Sequence, residues 1–77
     1  MKHHLKKARC KHVVAVMHPA SSTWQYVYYL EISGEPIMLT QLRVCTRMNI
    51  KMAKRVLRRT KERYPKLPVQ IRTIIYI

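Results

Sequence analysis

A small α+β domain is the fold class the sequence predicts, and three observations predict it. Residues rich in Val, Ile, Tyr and Trp gather in separate runs at 12–17, 24–32 and 69–77, a composition that suits half-buried strands. Leu42, Cys45, Met48, Asn49, Met52, Ala53, Val56, Leu57, Thr60 and Tyr64 recur at helical spacing and share one broad face. The 77 residues are 48% hydrophobic with one glycine and four prolines, enough for one small core and too few breakers for a linker.

Residues 1–11 are basic, with Lys2, Lys6, Lys7, Arg9 and Lys11 beside His3 and His4. They lack apolar periodicity and read as an N-terminal arm, leaving 12–77 as the single domain. Residues 12–17 read as a strand, and His18, Pro19, Ala20, Ser21, Ser22 and Thr23 as a loop. Residues 24–32 fit two structures. As a strand they place Trp24, Tyr26, Tyr28, Leu30 and Ile32 on one face; as a helix capped by Ser22 they would stop at Gly34. Propensity favours the strand. Ser33, Gly34, Glu35 and Pro36 form a turn under either reading.

From residue 40 to residue 64 the pattern is helical, as one helix or as two that divide at Asn49, whose short polar side chain suits an N-cap. A single helix would run about 36 Å at a rise of about 1.5 Å per residue. Pro65 and Pro68 end the helical region, and residues 69–77 read as a terminal strand.

Sixteen Lys and Arg against three acidic residues give a formal charge of +13. That balance points to nucleic acid, an anionic surface or an acidic protein. Arg43, Arg47, Lys51, Lys54, Arg58 and Lys61 follow one another at spacings of 4, 4, 3, 4 and 3, the rhythm of one helix side. A face of this kind repels itself and is best explained by a polyanionic partner, against the bland reading of a solvated surface. Cys10 and Cys45 do not make a disulfide framework, so free thiols and a cytoplasmic location are expected. No apolar run approaches the roughly 18–20 residues of a membrane span.

Residues 35–64 resemble a winged helix-turn-helix. Pro36, Ile37, Met38 and Leu39 resemble its short strand, and Thr40, Gln41 and Leu42 the start of its support helix. Thr46, Arg47, Met48 and Asn49 resemble the turn, with Met48 as buried plug and Asn49 as cap. Ala53, Val56 and Leu57 then fill the inward positions of a recognition helix. The resemblance implies a bacterial or phage-type DNA-binding regulator whose basic helix enters the major groove of double-stranded DNA. Lys51, Lys54, Arg55 and Arg58 would face the DNA, with Arg55 the base reader. Arg43, Arg47, Lys61 and the arm residues Lys6, Lys7 and Arg9 would hold phosphates.

The alternative architecture is one basic helix on a small antiparallel sheet, in the order β-β-α-β with room for a further strand. Its partner would be RNA or an acidic protein. Trp24, Tyr26, Tyr28 and Tyr29 would then be a stacking platform, or more plainly core and a partly covered sheet face. His3, His4, Cys10 and His12 do not have the spacing of a zinc site, so no metal or cofactor is expected. Glu31, Glu35 and Glu62 form no evident catalytic pair. A ribonuclease using His12 or His18 is the minor enzymatic reading, and a non-enzyme is expected. A homodimer would cover exposed Tyr and Ile.

Overall fold

The structure is a computed structural model that describes residues 9–30, 32, 34–39 and 41–76. Strands β1 (Arg9–His18), β2 (Thr23–Tyr29) and β3 (Pro36–Leu39) are followed by a single 3₁₀ turn (Leu42–Val44), helix α1 (Ile50–Arg63) and strand β4 (Val69–Tyr76). The strands form one antiparallel sheet in the order β3-β2-β1-β4, with α1 packed on one face. The expected α+β class is thus observed, as four strands and one α-helix among the described residues. No helix of the described residues is long and apolar enough to cross a membrane.

Residues 24–29 are strand, as propensity favoured. Alternation explains the choice: Val27 and Tyr29 are buried under α1, while Trp24, Tyr26 and Tyr28 lie on the other face, half-buried. Both faces of β2 therefore carry apolar contacts that a helix could not present to a flat sheet. The expected strand at 12–17 is longer and begins at Arg9, because residues 9–16 pair in full with residues 76–69 of β4. The arm expected at 1–11 thus gives up its last residues to the sheet, and residues 1–8 lie outside the description.

The winged-helix resemblance implies a support helix from Thr40. Thr40 lies outside the described residues, and the stretch beyond it forms only the 3₁₀ turn, with no side-chain cap at Gln41 and no buried residue. Leu42 and Val44 are exposed there. The six-cation comb is correspondingly divided, with Arg43 and Arg47 ahead of the helix and Lys51, Lys54, Arg58 and Lys61 within it.

The break has a structural cause in the sheet. β1 and β2 pair only over 15–18 and 23–26; beyond that they splay, and residues 46–48 fill the gap. On the β2 side, the Thr46 N–H donates to the Val27 carbonyl at 3.1 Å. The Thr46 hydroxyl accepts from the Tyr29 N–H at 2.7 Å and donates to the Tyr29 carbonyl at 3.2 Å. On the β1 side, Met48 exchanges two backbone hydrogen bonds with His12, each 2.8 Å. Backbone groups that the splay would orphan are thereby paired. Met48 is 2% exposed and enters the core with Val14, Val16, Val27, Tyr29, Ala53 and Val56.

If the wedge carries this pairing, Thr46→Ala destabilises the protein by about 1–3 kcal/mol, the cost of leaving a part-buried backbone pair unserved. Thr46→Ser, which keeps the hydroxyl, retains most of that stability. Urea unfolding of the three proteins measures both.

Candidate nucleic-acid interface

Helix α1 starts where the wedge ends. Asn49 is extended, and its Oδ1 accepts from the Met52 N–H at 2.8 Å, satisfying one of the donors a helix start leaves open. The expected cap and the expected plug at Met48 are both observed. Ala53, Val56 and Thr60 face the sheet at 0% exposure, with Leu57 and Met52 flanking them. Thr60 is tolerated inside because its hydroxyl donates to the Val56 carbonyl at 2.7 Å.

Burial of that stripe fixes where the cations go. At 3.6 residues per turn, Lys51 and Arg58 stand two turns apart on the crest opposite the core. Lys54 and Lys61 lie on one flank of that crest, and Arg55 and Glu62 on the other. All six side chains are exposed. Arg55, Arg58, Arg59 and Glu62 line a shallow depression, so the flank with Arg55 carries the one carboxylate of the helix. Lys51, Lys54, Arg58 and Lys61 therefore form an all-cationic stripe about 15 Å long. Among the described residues, none of these four enters an ion pair.

Two of the three remaining helix cations, Arg59 and Arg63, are occupied. Arg59 Nη1 donates to the Gly34 carbonyl at 3.0 Å. Gly34 holds φ +69°, the left-handed conformation glycine adopts freely, and so presents that carbonyl to the helix. Arg63 lies 3.7 Å from Glu35, both exposed. These contacts tie the β2–β3 connection to α1, a role the sequence alone did not reveal. The phase of Arg59, a quarter turn from the core stripe, was the available signal.

Arg43 and Arg47 are brought together beside Gln41 and Leu42 in a second shallow depression, where Arg47 Nη1 donates to the Arg43 carbonyl at 3.3 Å. Lys6 and Lys7 lie outside the described residues, and Arg9 enters as the first residue of β1. His12 and His18 are not brought together; they sit six positions apart on β1, about 20 Å along a strand. His12 Nδ1 is 3.1 Å from the Thr73 hydroxyl, and His18 Nδ1 accepts from the Ala20 N–H at 3.2 Å.

α1 holds its cations at an energetic disadvantage. Its first turn contains no acidic residue, and Lys51 there opposes the positive end of the helix dipole. Cations at i, i+3 and i+4 (Lys51 with Lys54 and Arg55, Lys54 with Arg58, Arg58 with Lys61) each add a few tenths of a kcal/mol of repulsion. An anion laid along the stripe relieves all of these at once.

No protein-family model, no curated protein and no solved structure matches the chain.

The two thiols differ in kind, both unbridged, with Cys10 exposed and Cys45 buried. Burial pushes the Cys45 thiol up, partly countered by the Arg47 guanidinium, and its Sγ donates to the Leu42 carbonyl at 2.9 Å. Native protein should therefore give one fast-reacting thiol with a thiol reagent at neutral pH, and two only when unfolded. Because unfolding lowers the Cys45 value, stability should fall as pH rises beyond the ordinary thiol range.

Proposed function

We propose that this chain is a nucleic-acid-binding protein that grips double-stranded DNA through the outward face of α1. The single observation that carries the reading is the stripe of Lys51, Lys54, Arg58 and Lys61, exposed and, among the described residues, without an ion pair, with Glu62 only at its edge beside Arg58. Over about 15 Å a duplex presents roughly nine phosphates, ample for four cations. A helix with its side chains matches the roughly 12 Å width of the DNA major groove, whereas the major groove of an RNA duplex is too narrow.

Three of the elements named by the winged-helix resemblance, namely plug, cap and basic helix, support the same use of α1. Here a sheet braces the helix in place of a support helix. Lys51, Lys54 and Lys61 suit phosphates as point charges. The forked guanidinium groups of Arg55 and Arg58 are the ones able to reach base edges bidentately. Arg43 and Arg47 add phosphate contacts ahead of the helix. On this reading the protein acts as a DNA-binding regulator of bacterial or phage type. With mostly backbone contacts it would bind many sequences with modest discrimination.

Fluorescence anisotropy with a labelled duplex tests the reading through its salt dependence. Four phosphate contacts give a log–log slope of about −3.6, hence a loss of about 10²-fold in affinity between 50 and 200 mM salt. Replacing Lys54 and Arg58 together by Ala should flatten the slope by about 1.8 units. Absence of duplex binding, or a slope unmoved by that change, would refute it.

Lys51→Glu separates an interface from a solvated face by the sign of two effects. It should raise stability by about 0.3–1 kcal/mol at low salt while weakening duplex binding. Thermal melts and the same anisotropy titration read the two effects independently.

A further inference from the structure

We propose that the open face of the sheet, on the side away from α1, is a second site that stacks the unpaired bases of single-stranded nucleic acid. Strand register places Trp24, Tyr26 and Tyr28 on that face. Arg72 comes from β4, two strands away, and its register partner on β1 is Val13. Its side chain nevertheless reaches across β1: the guanidinium carbon lies 4.6 Å from the centre of the Trp24 ring, and Nη1 is 3.4 Å from the Tyr26 hydroxyl.

Two features make that reach possible. The central strand contributes short side chains, Val13 and Ala15, both 0% exposed, so the arm lies over a shallow floor. With the Gln70 amide oxygen turned toward Arg72, it accepts from Nε at 2.7 Å and Nη2 at 3.1 Å. In that orientation the amide meets the edge of the guanidinium while the guanidinium carbon lies over the Trp24 ring. Two aromatic rings and a planar cation form one continuous surface spanning two inter-strand spacings, about 10 Å.

Charge identifies the occupant. The chain has three acidic residues, and among the described residues neither Glu35 nor Glu62 falls in a strand. Arg72 and Lys11 lie on the same face by register, so it is aromatic, flat and positive. A second copy of the chain would bring +13 against +13 and is disfavoured. A duplex keeps its base faces stacked inside, and a four-stranded sheet is too broad for either groove. An unpaired strand offers what this face lacks: π-faces for the rings and phosphates for the cations. The site is separate from the α1 stripe and does not depend on it.

Trp24 is the only tryptophan, so its fluorescence reports on this face. The full chain would be titrated with an oligo-thymidine 12-mer, with a duplex of equal length, and with poly-glutamate. Saturable quenching by the oligo-thymidine is expected, weakened about 5- to 100-fold in Tyr28→Leu, which removes one stacking ring and keeps apolar bulk. Arg72→Lys, which keeps the charge and loses the plane, should weaken it too, with circular dichroism confirming that both variants fold. Duplex affinity should be unchanged in Tyr28→Leu and lowered by replacing Lys54 and Arg58, so failure of one site is distinguishable from failure of the other. The proposal is overturned if oligo-thymidine does not quench, if Tyr28→Leu binds it as tightly, or if poly-glutamate quenches equally.

Discussion

The hydrogen-bonded wedge at Thr46 and Met48 is the constraint on which the rest of the molecule depends. A four-stranded sheet with one helix has little apolar area with which to offset unpaired backbone. Here its two central strands part halfway along their length. The chain closes that gap with three of its own residues, sending Thr46 to β2 and Met48 to β1. Having done so it must leave the sheet plane at Asn49, the residue able to start a helix. The direction of α1 and its phase over the core follow from that exit. The outward turn of Lys51, Lys54, Arg58 and Lys61 follows from the phase.

The electrostatics follow the same division. The sheet separates two positive surfaces of different texture. On the helix side are exposed cations on an α-helical crest, suited to regularly spaced phosphates. On the far side is one guanidinium set against Trp24 and Tyr26 on a bed of small side chains. Two of the three carboxylates, Glu35 and Glu62, sit among helix-side arginines. They trim the margins of the crest near Arg55, Arg58 and Arg63 and, among the described residues, leave the flank with Lys54 and Lys61 without a carboxylate.

Much of this was legible in local sequence. Asn49 as cap, Met48 as plug, and Ala53, Val56 and Leu57 as inward residues are local consequences of spacing and side-chain chemistry, and the structure carries them. β2 was legible as a strand because Trp24, Tyr26 and Tyr28 alternate with residues that also need burial. The failures are non-local. Leu42 and Cys45 keep the helical period, yet the segment becomes a 3₁₀ turn because Thr46 must reach Val27 and Tyr29. Arg9 and Lys11 carry no strand signal, yet they are held by β4 more than sixty residues away. The stacking of Arg72 on Trp24 depends on a strand order, β2-β1-β4, that spacing along one segment cannot encode.

On the proposed reading two distinct nucleic-acid surfaces lie back to back, with α1 for the duplex backbone and the open sheet face for unpaired bases. Two-dimensional ¹H–¹⁵N NMR titration of one labelled sample tests it most directly, since it locates both ligands residue by residue. With duplex DNA, shifts are expected to concentrate at Lys51, Lys54, Arg58 and Lys61. With an unpaired oligonucleotide, shifts are expected at Trp24, Tyr26, Tyr28 and Arg72. Perturbation of the same residues by both ligands, or of neither set, would contradict it.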